Sequence, residues 1–222
     1  MNLDFSCVWQ YWPFLYHGAL TTLKMTGICL VLGFLLGVLL SLIKISNCKP
    51  LVWFGRFYTS IFRGTPLLVQ LCIVHFGLPQ LIGVTLTTTQ SGILTFSLNS
   101  AAYISEIFRG GIMGVDKGQY EAAMSLGVSY RDMMKDIVLP QAVKHVLPSL
   151  VNEAIALLID SSILSYIGAV ELLRAADQIT VLTFRFFEPY LVIALIYYVF
   201  VMLLSMVASR VERWVNRSDR VS

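Results

Sequence analysis

From residue 64 to residue 105 the chain carries no Lys, Arg, Asp or Glu. About 20 apolar residues in a helix cross a bilayer, so this stretch alone is long enough for two crossings. Composition agrees with the membrane reading. Hydrophobic residues make up 57% and charged residues 13%, against about 45–50% and about 25% in an average soluble domain. Disorder, a collagen-like chain and a small disulfide scaffold are excluded. The expected class is all-α, because helices satisfy their own backbone groups in lipid.

The long uncharged run divides in the middle. Phe76-Gly77-Leu78-Pro79 reads as a turn, and 85–91 is polar. Together with other runs low in charge, five spans are expected, at about 18–43, 57–77, 91–109, 146–167 and 188–210. The segment 110–144 then forms one long polar loop, and residues 1–222 form a single domain. Five spans do not divide into the matched halves of an inverted repeat.

Basic residues set the orientation. With the N-terminus outside, thirteen of the sixteen Lys and Arg fall on the cytoplasmic side. They are Lys44, Lys49, Arg56, Arg63, Arg109, Lys117, Arg131, Lys135, Lys144, Arg210, Arg213, Arg217 and Arg220. Only Lys24, Arg174 and Arg185 remain outside, and Lys24 can snorkel to the interface. The first 20 residues hold no Lys or Arg, so no secretory signal peptide is expected. Phe5, Trp9, Tyr11, Trp12, Phe14 and Tyr16 read as an interfacial aromatic segment. Membrane lipid is the expected partner of the basic tail.

The loop 110–144 is rich in helix signals. Asp116 is placed as an N-cap with Gln119 three residues on. Gly127 supplies a left-handed helix end, and Ser129 with Asp132 starts a second helix. Pro140 is expected to end or kink that helix. Two short helices joined by a bend at Gly127 result. Cys7, Cys29, Cys48 and Cys72 are far apart, and His17, His75 and His145 are isolated, so no metal site is expected.

Glu121-Ala122-Ala123, then Gly127, then Ile137-Val138-Leu139-Pro140 resembles the EAA motif of ABC importer permease subunits. Phe62-Arg63-Gly64-Thr65-Pro66-Leu67-Leu68-Val69-Gln70 is similar to a block in the polar amino acid branch of that family. So are the block from Asn99 to Gly111 and Asp160-Ser161-Ser162-Ile163-Leu164-Ser165. The likeness runs over about residues 17–215.

The resemblance implies a bacterial inner-membrane permease with a second permease subunit, two ATP-binding subunits and an extracytoplasmic substrate-binding protein. No cofactor is expected on this chain, with ATP and Mg at the partner subunit, and no nucleic acid partner. The chain lacks a G-x-x-x-x-G-K-[ST] loop and any nucleophile–base set, so an enzyme is not expected. Glu121, Ala122, Ala123, Gly127, Arg131, Leu139 and Pro140 are the expected ATPase-coupling residues.

Glu153 and Asp160 lie seven residues apart, on one helix face and ~10 Å apart along it. An ionised group at mid-bilayer costs at least ~2.5 kcal/mol, so that face must meet protein or water. Glu153, Asp160, Ser161, Asn99 and Tyr103 are the expected substrate pathway. Arg63, Gly64, Thr65 and Pro66 are the expected gate or kink. The family places a Lys before the acidic position, where this chain has Ile159. That departure favours a basic amino acid such as arginine, with glutamine next. A stand-alone channel or facilitator is the alternative, and the loop pattern argues against it.

Overall fold

The computed structural model describes residues 3–219, and every regular element among them is a helix. A short α1 (Ser6–Gln10) leads into α2 (Trp12–Ile45). Helices α3 (Lys49–Gly64) and α4 (Leu67–Ile82) meet at 104°. Next come α5 (Thr88–Met113), α6 (Lys117–Ser125) and α7 (Tyr130–Ile167). The last are α8 (Leu172–Thr183) and α9 (Phe187–Asp219). Among the described residues, α2, α7 and α9 are long and apolar enough to cross a membrane, and the bent pair α3–α4 adds a fourth if it is one broken span.

The expected span 91–109 lies within α5. Its 26 residues give about 39 Å of helix, ample for a bilayer, but the helix is more polar than α2, α7 and α9. Five of its polar side chains point inward: Ser91, Thr95, Ser97, Ser100 and Ser105 are all buried. Helices α2, α3, α4 and α7 pack around it. The outer faces of α2 and α9 carry the lipid-type surface, with Leu35, Leu39, Leu195 and Leu203 exposed.

Close approach of α2 to α5 depends on Gly33 and Gly37, a small-xxx-small pair of the kind that lets membrane helices touch. A Cβ on Gly37 would stand 2.7 Å from Ile104 Cγ2 and 3.1 Å from the Ala101 carbonyl oxygen. One on Gly33 would stand 2.8 Å from Ser100 Cβ. Gly37→Val should therefore destabilise the bundle by about 1–3 kcal/mol through overpacking. The check is a lowered unfolding midpoint in detergent, with Gly27→Val as control, since nothing lies within 4 Å of a Cβ there.

Two expected breaks are displaced. The helix passes through Phe76-Gly77-Leu78-Pro79, because residues Ile73–Gly77 widen into a π turn that carries Pro79 in its next turn. The chain turns only at Gly83, whose φ of 71° ends α4. Pro140 likewise does not end its helix. Residues Met133–Val138 form a second π segment, and Pro140 enters the first turn of the α-helical stretch after it, where a missing N–H is tolerated. One helix thus runs from Tyr130 to Ile167, joining the end of the expected loop to the expected span 146–167. The first span starts earlier than expected, at Trp12.

Helix α8 is pinned by a fully buried Glu171 at its N-cap. Its carboxylate accepts from the backbone N–H of Leu173 at 2.8 Å, from that of Arg174 at 2.7 Å and from the Tyr197 hydroxyl at 3.1 Å. The Leu172 N–H reaches Thr22 Oγ1 at 3.3 Å. These bonds tie α8 to α2 and α9 around the apolar set Leu15, Leu172, Ala175, Ile179 and Ile193. In the expected aromatic segment, Trp9, Trp12, Phe14 and Tyr16 are exposed. Of the basic tail, Arg220 and the side chain of Arg217 lie outside the described residues.

Candidate functional site: a polar helix face and a capped hook

Residues from three helices meet on one partly open polar face. Arg63 ends α3 and lays its guanidinium carbon 5.1 Å from the Tyr103 ring centroid on α5. One turn before Tyr103, Ser100 donates from Oγ to Glu153 Oε1 at 2.7 Å, linking α5 to α7. Asp160 closes the α-helical part of α7, which then tightens to a 3₁₀ turn over Ser161–Ile167. Arg63 and Tyr103 are exposed, while Glu153 and Asp160 are half-buried. A cation beside an aromatic ring and two carboxylates two turns apart on α7 thus make up this face.

Two expected pathway residues do not share that face. Ser161 is 2% exposed and donates back to the Leu158 carbonyl at 2.7 Å; the 3₁₀ tightening turns it inward. Asn99 is also buried, with its amide nitrogen 3.0 Å from the Phe62 carbonyl oxygen, toward the α3–α4 break. At that break Thr65 is extended and its hydroxyl donates to the Ile61 carbonyl at 2.8 Å. At Gly64 nothing lies within 4 Å of a Cβ. Pro66 forms the N-cap of α4, at the 104° bend.

The hook lies between α5 and α7. Asp116 caps α6 by accepting from the Gly118 N–H at 2.6 Å. Gln119 does not close a capping box; its Oε1 accepts from Gln141 Nε2 at 3.4 Å instead. At the far end Gly127 has φ 71°. Its N–H donates to the Met124 carbonyl at 3.0 Å, and the Val128 N–H donates to Ala123 at 3.0 Å. This pair of bonds defines a Schellman end. Ser129 then caps α7, accepting from the Asp132 N–H at 3.2 Å.

The hook has its own small core of Val115, Ala123, Met133, Val138 and Ala142. Tyr120 leans on it and donates to the Ile112 carbonyl at 3.2 Å; burial pushes its phenol above the usual range. Ala123 is therefore an internal contact, 2% exposed, and is closed to a partner. Glu121, Ala122, Arg131, Leu139 and Pro140 are exposed. So are Met124 at 63%, Leu126 at 82% and Tyr130 at 72%. Sequence reasoning missed these three, although large apolar residues in a polar loop were the available signal. Among the described residues no group of three or more His, Cys, Asp or Glu comes together.

A third cluster was not foreseen. Lys44 on α2 is buried and reaches Glu106 Oε1 at 2.7 Å and Ser105 Oγ at 2.8 Å. Glu106 also holds Arg109, three residues on, at 2.7 Å.

Residues 30–218 match the family described as binding-protein-dependent transport system inner membrane component. The arginine transport system permease protein ArtQ of Bacillus subtilis is 48% identical, covering 99% of this chain and 100% of the relative. A putative glutamine transport system permease protein GlnP of Rickettsia felis is 44% identical, covering 94% and 97%. A crystal structure of an amino acid ABC transporter with histidines has a TM-score of 0.92 at 42% identity, covering 96% of this chain and 99% of that one. With its polar face and capped hook, this chain belongs to the family of inner membrane components of binding-protein-dependent transport systems.

Proposed function

We propose that the chain is the membrane-spanning subunit of an ATP-driven importer of polar amino acids, with arginine or another basic amino acid preferred and glutamine next. Its five spans are α2, the broken pair α3–α4, α5, α7 and α9, with the N-terminus outside and the C-terminus cytoplasmic. A second permease subunit covers the polar face and completes the pathway. Two ATP-binding subunits, which hold ATP and Mg, dock on the hook, and an extracytoplasmic receptor delivers substrate.

The observation that carries this reading is the hook. Its exposed Met124, Leu126 and Tyr130 form an apolar tip on a rigidly capped helix, and Glu121 and Arg131 beside it set register by charge. A stand-alone facilitator has no use for such a surface. The relatives named for arginine and glutamine support the substrate class. The polar face supports the preference: Arg63 suits a carboxylate, while Glu153 and Asp160 suit a cationic side chain. Closure of the ATP-binding dimer moves the hook, and α7 carries that motion to Glu153 along one continuous helix.

The test is reconstitution with the ATP-binding and receptor proteins, followed by competition against labelled arginine uptake. Lysine and histidine should compete better than glutamine. Uptake blocked by glutamine and indifferent to unlabelled arginine overturns the preference. Glu153→Gln should lower arginine uptake at limiting substrate by roughly tenfold, about 1.4 kcal/mol of lost interaction, with a smaller effect on glutamine.

A further inference from the structure

The break between α3 and α4 is held by a pair of buried amides. Pro66 has no amide hydrogen, so the Phe62 carbonyl loses the donor that a continuous helix supplies. Two side chains replace it: Gln70 Nε2 at 2.9 Å and Asn99 Nδ2 at 3.0 Å. Gln70 Nε2 also lies 3.0 Å from the Thr65 carbonyl oxygen and 2.9 Å from Thr65 Oγ1. Gln70 Oε1 accepts from Asn99 Nδ2 at 3.0 Å, which ties the clamp to α5. A short way along, the Tyr58 hydroxyl donates to the Leu98 carbonyl at 2.7 Å.

The placement of this clamp matters more than its strength. Gln70 grips the carbonyls of Phe62 and Thr65, and between these two residues stand Arg63 and Gly64. The turn that presents Arg63 to Tyr103 is therefore held at both ends by one side chain. Gln70 is 7% exposed and Asn99 9%, so water cannot take over these bonds at little cost.

We propose that Gln70, through its amide pair with Asn99, is a positioning residue that sets the angle of the break and so the place of Arg63 on the substrate face. The uptake part of this proposal rests on the importer reading; the geometric part does not. Two measurements separate them. Nitroxide labels at Arg56→Cys and Leu81→Cys, both exposed sites, in an otherwise cysteine-free background report the α3–α4 distance by pulsed electron resonance in the assembled transporter. The unmodified clamp should give one narrow distribution. Gln70→Leu should broaden and shift it. Exchanging the two amides, Gln70→Asn with Asn99→Gln, conserves the summed side-chain length and should restore it.

In uptake, Gln70→Leu should raise KM by about tenfold with the maximal rate changed less than about twofold, and the exchange should bring KM back. A merely structural loss would lower the maximal rate and leave KM in place. If Gln70→Leu does not reach the membrane, Gln70→Glu serves: it keeps the acceptor for Asn99 and removes both amide hydrogens, and the same broadening is expected. An unchanged distance distribution in the variant that inserts overturns the clamp. Absence of ATP-driven uptake by the unaltered protein overturns the importer reading, while the distances still decide the clamp.

Discussion

Gly127→Pro is expected to reduce ATP-driven uptake to the background of empty vesicles while the spans stay inserted. The reason is local geometry. Gly127 sits at φ 71°, and proline is locked near −65°. Its N–H donates to the Met124 carbonyl, a bond proline cannot make. Both Schellman bonds fail together, so α6 loses its stop and the turn into Ser129 loses its direction. The exposed tip of Met124, Leu126 and Tyr130 then no longer faces one way. Nothing else depends on this residue, since no atom lies within 4 Å of where its Cβ would be; folding of the bundle should be spared.

The same geometry ranks milder changes. Gly127→Asn, which tolerates the left-handed region, should keep most uptake. Gly127→Ala should lose stability of the hook by roughly 1–2 kcal/mol and show partial uptake. Uptake by the reconstituted transporter measures the series, and cysteine accessibility of the loops checks insertion. Normal uptake by the proline variant would refute the assignment of the hook as the coupling element.

Much of this hook was legible in the sequence because capping is local chemistry. Asp116, Gly127 and Ser129 each act within three residues of themselves, so their roles follow from the chain order. Pro66, which has no amide hydrogen to continue a helix, marks the bend between α3 and α4 by the same local chemistry. What escaped depends on partners far along the chain. Nothing at Gln119 foretells Gln141, and nothing at Gln70 foretells Asn99. The π segments escaped because no residue type marks them; they let Pro79 and Pro140 pass where a strict α-helix would break. The polar face was half legible. Spacing alone put Glu153 with Asp160, but the 3₁₀ turn that hides Ser161 needs the fold. Gly33 and Gly37 stood in plain sight as a small-residue pair, yet their partner helix could not be read from one chain segment.

Lys44 shows the same limit and gives the second large effect. By position it was expected only among the basic residues of the cytoplasmic side. Instead its side chain is 2% exposed and held by Glu106, whose own exposure is 20%. Glu106→Leu should therefore destabilise the bundle by about 3 kcal/mol, because it strands a buried ammonium with only the Ser105 hydroxyl. Lys44→Met should cost less, since Glu106 keeps Arg109. The double variant Lys44→Met with Glu106→Leu should recover most of the loss, as replacing both members of a buried pair by apolar groups is often near neutral. Arg109→Ala should change stability by no more than about 1 kcal/mol, since its side chain is 44% exposed and exposed pairs contribute little. Denaturant unfolding in detergent, read as a double-mutant cycle, measures all four. Additive losses in the cycle would mean that Lys44 and Glu106 do not depend on one another, and that α2 and α5 are held by their apolar and small-residue contacts without this pair.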